Sequence, residues 1–106
     1  MALVSLLVCP DAKAVQTLSR ALREVGLEVE HCGNLDSATK RVKDERFDAV
    51  VLDCEGEAAA MTVLAAARQS AVNAASLLIA VVDGTNNVRE LFAKGANFAL
   101  YKPISA

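Results

Sequence analysis

The sequence predicts an α/β domain built on a doubly wound, five-stranded parallel sheet, and three observations carry that prediction. Short and nearly uninterrupted apolar runs recur, AVVLD at 49–53 and SLLIAVV at 76–82 being the clearest; such runs belong to strands covered on both faces. Between them lie segments whose apolar residues fall at helical spacing. The two kinds of segment alternate, five against four, which is the pattern of parallel strands joined by helical crossovers, with helices on both faces.

Val4–Cys9 is the first strand, a continuous apolar run stopped by Pro10. Asp11 then caps a helix whose Val15, Leu18, Leu22 and Val25 point inward and whose end is Gly26. In Leu27–Cys32, Leu27 and Val29 alternate with Glu28 and Glu30, so this strand reads as an edge. Asn34 opens a second helix with Leu35, Ala38 and Val42 inward, and Phe47–Cys54 is the most buried-looking strand so far. The alanine-rich stretch Glu55–Ser70, with Met61, Val63, Leu64 and Ala67, is the third helix. Ser76–Val82 is the fourth strand, closed by the turn signal Asp83-Gly84. Asn86–Lys94 is a short fourth helix with Val88, Leu91 and Phe92 inward and Gly95 behind it; Asn97–Tyr101 is the fifth strand, ended by Lys102-Pro103.

Composition narrows the function classes. At 106 residues there is room for one domain, spanning 1–106, and an apolar fraction of 54% with 23% charged residues is that of a globular chain. A net charge of −2 exerts no global pull on nucleic acid or anionic lipid, so neither is expected as a partner. No basic region precedes the first apolar run, and Pro10 and Asp11 end it early, which argues against a signal peptide or a membrane span. Three cysteines, Cys9, Cys32 and Cys54, are an odd number without framework spacing, as expected of a reduced, cytoplasmic chain.

Asp53 after AVVL, and the stretch GANFALYKP at 95–103, resemble the receiver domain of bacterial response regulators, the chemotaxis-regulator-like, flavodoxin-like fold. The resemblance covers nearly the whole chain. It implies strand order 2-1-3-4-5 and a site at the carboxyl ends of the strands. It also implies that Asp53 stands where the family keeps its phosphoacceptor, that Lys102 stands where a lysine pairs with the phosphoryl oxygens, and that Pro103 follows a cis peptide.

Other positions depart from that family. Where two acidic residues would follow the first strand and hold Mg²⁺, this chain has Cys9 and Pro10, and only then Asp11. Mg²⁺ takes hard oxygen ligands, and thiol and proline supply none, which leaves Asp11 and Asp53 as weak metal candidates. The switch hydroxyl falls on Val82 and the switch aromatic on Ala99, with Phe98 and Tyr101 on either side. The loop after the acceptor is Cys54-Glu55-Gly56-Glu57. Phosphoryl transfer depends on positioning and charge neutralisation, so these departures point to a degenerate receiver. The expectation is a regulatory dimerisation or protein-interaction module, with no enzyme activity and no cofactor. Phe98 and Tyr101 are its interface candidates, one on each side of the sheet.

Two alternatives compete. In one, a histidine kinase still phosphorylates Asp53 and Mg²⁺ is retained, with help from Asp11 or Glu55. In the other, the chain is a flavodoxin-like small-ligand or thiol/metal-binding domain. Against the latter, Cys9-Pro10-Asp11 forms no glycine-rich phosphate loop, and there is neither Ser-His-Asp nor zinc-type spacing around the single histidine, His31. Structural readings also stand beside the functional ones: Asp53 as a cap of the following loop, and Lys102 as its ion-pair partner.

In strand order 2-1-3, Cys32, Cys9 and Cys54 end neighbouring strands roughly 5 Å apart, so Cys9 and Cys54 could meet, with Asp53, Asp11 and His31 at the same edge. That is either a soft-metal or thiol-switch site, or a set of small apolar side chains filling space. Finally, the family carries a fifth helix after the Lys-Pro turn, and the sequence stops at Ala106. Apolar positions of strands three to five are therefore expected to face solvent and to promote self-association or partner docking. On the same ground, 1–106 is expected to be a truncated form or the N-terminal part of a longer protein.

Overall fold

The computed structural model describes residues 3–9, 12–54, 57–82 and 88–101. In chain order the elements are β1 (Leu3–Val8), α1 (Ala12–Glu24), β2 (Leu27–Cys32), α2 (Leu35–Asp44), β3 (Ala49–Asp53), α3 (Glu57–Gln69), β4 (Leu77–Val82), α4 (Val88–Ala93) and β5 (Phe98–Tyr101). The strands form one parallel sheet in the order β2-β1-β3-β4-β5, as the resemblance implied.

Strand alternation divides the core in two. On one face α2, α3 and α4 bring Ala38, Val42, Val63, Leu64, Ala67 and Leu91 onto Leu6, Val8, Val50, Leu52, Leu78, Ala80 and Val82. On the other, Leu18 of α1 packs with Leu7, Cys9, Val51 and Val81, supported by Ala14, Val15 and Leu22. β3, at the centre, is buried along its whole length, which is why its sequence carries no polar alternation before Asp53.

Local chemistry sets the element ends. Asn34 caps α2, its side chain accepting from the Asp36 and Ser37 backbone N–H groups at 2.8 and 3.1 Å. Gly26 and Gly95 close α1 and α4 at positive φ, +91° and +125°, a region that suits glycine. β2 matches its expected bounds, β1 starts and ends one residue earlier than Val4–Cys9, and β3, β4 and β5 are tighter than the apolar runs suggested by one or two residues at an end. Phe47 and Asp48 lie before β3, where the Phe47 N–H goes to the Asn73 side chain at 2.8 Å instead of to a neighbouring strand.

Two residues expected inside are outside. Val25 is 72% exposed because α1 ends at Glu24 and the chain turns away before Gly26. Phe92 is half-exposed: in the six-residue α4, Leu91 takes the inward position and its neighbour is rotated away from the sheet. Leu35 keeps its predicted place in α2, but its side chain lies outside the described residues.

The sheet face that α1 shares is covered unevenly. α1 packs over β1 and β2. On the same face, Leu77 of β4 and Phe98 and Leu100 of β5 are 39%, 58% and 41% exposed. Their register, Ile79 beside Phe98 and Val81 beside Leu100, places them together. The expected exposure of strands three to five is thus found on β4 and β5 but not on β3, which is fully enclosed.

Candidate functional site

Parallel strands present their carboxyl ends at one edge of the sheet, and that edge gathers the chemistry-bearing residues. Asp53 is the last residue of β3, opposite Val81 of β4. It is 3% exposed. Cys9 follows β1, and since Val8 is the register partner of Leu52, Cys9 and Asp53 come next on the adjoining strands and face α1 together. The Cys9 thiol donates to Asp53 Oδ2 at 3.4 Å, both groups buried.

The backbone of Cys9 is held as firmly as its side chain. Its N–H donates to the Cys32 carbonyl at 3.3 Å, and its carbonyl accepts from His31 Nε2 at 2.8 Å. A carbonyl can only accept, so His31 carries a proton on Nε2. His31, on the edge strand, is thereby a clamp on the β1 terminus.

The three cysteines do end neighbouring strands, but Cys9 and Cys54 are not a pair. Cys9 belongs to the α1-side cluster and Cys54 and Cys32 to the opposite one, because successive strand ends alternate faces. All three are buried and none is in a disulfide, and the Cys32 and Cys54 thiols donate to the backbone carbonyls of Asn34 and Leu52, at 3.2 and 3.6 Å. A thiol cluster is therefore not formed. Among the described residues, no three His, Cys, Asp or Glu side chains gather in a way that could hold a metal ion.

Among the described residues, the donor set around Asp53 does not fit Mg²⁺. The buried neighbour that Asp53 meets across the strand gap is a thiol, a soft group that occupies a carboxylate oxygen by hydrogen bonding. Pro10 and Asp11, the second acidic-pair position and the displaced metal candidate, lie outside the described residues. So do Lys102 and Pro103, on which the expected phosphate-pairing lysine, its ion pair with Asp53 and the cis peptide fall.

Val82 and Ala99, the residues that the resemblance aligned with the switch positions, are both aliphatic. Val82 ends β4, fully buried, and Ala99 is half-buried in β5 beside Ala80. Phe98 and Tyr101 project to opposite sides of the sheet, as strand alternation requires, and both are mostly exposed.

Sequence reasoning missed the Cys9–Asp53 hydrogen bond, although the register that brings the two together follows from strand order once β1 and β3 are aligned. It also missed the polar ties at the other end of the sheet. There Asn73, wholly buried, accepts from the Phe47 N–H and the Ser76 hydroxyl at 2.8 and 2.9 Å and donates to the Val42 and Glu45 carbonyls at 2.6 and 2.5 Å. Arg68 of α3 spans the gap to β5, donating from Nε and Nη2 to the Gly95 carbonyl and from Nη1 to the Ser76 carbonyl. No spacing or composition signal marks either residue.

No family model matches the chain, and no curated protein matches its sequence. Solved structures do match. The receiver domain of a sensor histidine kinase from Pseudomonas aeruginosa, with magnesium coordinated in its active-site cleft, is 25% identical over 99% of this chain and 88% of its own, with a TM-score of 0.76. A response regulator from Thermotoga maritima, 15% identical, superposes with a TM-score of 0.83 over 99% of this chain and 88% of its own. A response regulator from Burkholderia pseudomallei, bearing a phosphorylated aspartate and calcium, is 20% identical with a TM-score of 0.78; the match covers 97% of this chain and 61% of that one. The fold is that of a response-regulator receiver domain.

Proposed function

We propose that this receiver-fold domain belongs to two-component signalling and acts as a regulatory module through protein contacts, by dimerisation or partner docking, without phosphate on Asp53. One observation carries the reading: Leu77, Phe98 and Leu100 form a contiguous apolar surface left uncovered on β4 and β5. Uncovered apolar surface of this kind marks interaction sites in soluble domains. The surroundings of Asp53 support the second half of the proposal, since its Oδ2 is engaged by a buried thiol and its donor set does not suit Mg²⁺. The domain is not an enzyme in this reading and needs no cofactor. Buried cysteines outside any disulfide suit the reducing cytoplasm. Among the described residues no helix is long and apolar enough to cross a membrane.

Light scattering across a concentration series tests the contact. Self-association is the expected result, weakened by Phe98→Ser. A parent chain that stays monomeric at every concentration and captures no partner would refute it. Backbone amide shifts in Mg²⁺ and beryllofluoride, a mimic of aspartyl phosphate, test the rest: no response at Asp53 is expected.

A second reading, phosphorylation of Asp53 by a histidine kinase, is favoured by its place at the carboxyl end of β3. A matched structure from Burkholderia pseudomallei carries a phosphorylated aspartate. Amide shifts spreading from Asp53 to Phe98 and Tyr101 on addition of beryllofluoride would establish that reading instead.

A further inference from the structure

We infer that Cys9 is the residue that keeps Mg²⁺ out of the Asp53 site, and that the single change Cys9→Asp gives the site Mg²⁺ affinity. The inference rests on reading Asp53 as a receiver-type acceptor position. It adds that one side chain on the neighbouring strand, a proton donor in place of a cation ligand, sets what that position can hold.

Geometry supplies the first argument. Cys9 and Asp53 follow the register pair Val8 and Leu52 on adjoining parallel strands and face the same side. Their contact, 3.4 Å from Sγ to Oδ2, is a hydrogen bond from thiol to carboxylate. The proton on sulfur satisfies the oxygen that a cation would otherwise bridge. Mg²⁺ requires oxygen at about 2.0–2.1 Å in near-octahedral array and sheds its waters reluctantly, so a soft, protonated sulfur neither binds it nor leaves Asp53 free to do so.

Charge supplies the second. A carboxylate at position 9 would face Asp53 across one strand gap, and two like charges so placed are relieved by a hard divalent cation. With the thiol there, that electrostatic demand is absent. The backbone of residue 9 would not need to move. It is pinned by the His31 ring at 2.8 Å and by the Cys32 carbonyl at 3.3 Å, and neither contact uses the Cys9 side chain.

A rival account gives the thiol no such role. Cys9 packs among Leu7, Leu18, Val51 and Val81, and there it could serve only as a small buried hydrophobe. The two accounts separate in one experiment. The full chain, uniformly labelled with ¹⁵N, is titrated with Mg²⁺ at constant ionic strength, as the parent, Cys9→Ala and Cys9→Asp. The amides followed are those of residue 9, Leu52, Asp53, Cys54 and Val81.

The parent and Cys9→Ala are expected to show no saturable shift. Cys9→Asp is expected to saturate at those amides and to melt at a higher temperature in Mg²⁺ than without it. Saturable local shifts in the parent would overturn the inference, and so would a folded Cys9→Asp that stays silent. If Cys9→Asp does not fold, near-isosteric Cys9→Ser, which offers a hard oxygen, decides: saturable shifts support the inference and silence overturns it. Light scattering on the same samples keeps this result apart from the docking proposal. A parent that stays monomeric and captures no partner would defeat the docking contact and leave this inference standing, and a Mg²⁺-binding parent would defeat this inference and leave the docking contact standing.

Discussion

Replacing Asn73 by alanine should be among the most damaging single changes in this domain. The side chain is wholly buried and makes four hydrogen bonds, two accepted and two donated. Alanine leaves the Phe47 N–H and the Val42 carbonyl without these buried partners, and the Glu45 carbonyl loses a partner nearer the surface. Each buried backbone group stranded in this way costs about 1–3 kcal/mol, so the two together lose about 2–6 kcal/mol. Domains of this size are typically stable by only about 5–15 kcal/mol. With a urea slope of about 2 kcal/mol/M, a loss of 4 kcal/mol moves the unfolding midpoint down by about 2 M.

The assay is equilibrium urea unfolding followed by circular dichroism, for the parent, Asn73→Ala and Asn73→Asp. The aspartate keeps both acceptors but turns a carboxylate oxygen toward two carbonyls that had received N–H groups. Its ionised form should therefore be at least as unstable as the alanine variant. Its carboxyl is then held protonated by the fold, so stability returns as pH falls and a proton becomes available to donate. A midpoint shift for Asn73→Ala below about 0.5 M, which is about 1 kcal/mol at that slope, would refute the account of these bonds.

Gly95 and Gly26 form a matched pair for a second test. Both hold positive φ, but a Cβ at Gly26 meets nothing within 4 Å, whereas one at Gly95 overlaps Arg68 Cγ and displaces the guanidinium from the Gly95 and Ser76 carbonyls. Gly26→Ala should cost about 1 kcal/mol of backbone strain and Gly95→Ala clearly more, about 2–3 kcal/mol; equal melting points for the two variants would contradict this. A third test concerns pH. The Arg41 guanidinium, bonded to Glu45 and to the Glu30 carboxylate, holds the Glu45 carboxyl below its ordinary value of 4.5. A lowered carboxyl contributes stability above that value and loses it as pH falls through the folded-state value. The small difference in melting temperature between parent and Glu45→Gln should accordingly be present at neutral pH and fade in acid, and a pH-independent difference would show that the bond does not act as described.

The sequence made the sheet legible because burial on two faces leaves so little choice of residue. β3 and β4 had to be apolar runs, and helical spacing between them fixed the crossovers. Asp53 was legible as a candidate for the same reason: an acid closing a fully buried strand stands out against its background. Illegible were the contacts that depend on three-dimensional register. Cys9 bonds Asp53, 44 residues away, and nothing local distinguishes that thiol from a buried hydrophobe. The proposed approach of Cys9 to Cys54 failed on face, not on strand order, because a one-residue offset at a strand end sends a side chain to the opposite side. Asn73 and Arg68 were invisible because each acts on backbone groups, which every residue carries.

The polar ties are divided between the two ends of the sheet in a way that bears on function. Asn73 with Ser76 and Phe47, Arg68 with Gly95 and Asn97, and Asp48 with the Val4 N–H all lie at the amino ends of the strands. They stitch loops to the sheet without touching Asp53. At the carboxyl ends, Asp53, Cys9 and His31 form a short chain from carboxylate to thiol and from the Cys9 carbonyl to the imidazole. Changes there can alter what the edge binds while the amino-end ties keep the fold. That separation lets residues at the Asp53 edge change while the architecture is kept, so the Asp53 edge and the bare β4–β5 surface can vary independently. Measured on one set of variants, the prediction is that Cys9 substitutions change Mg²⁺ response but not association, and that Phe98→Ser changes association but not Mg²⁺ response. Cross-effects in both directions would mean that the edge and the surface still form one switch.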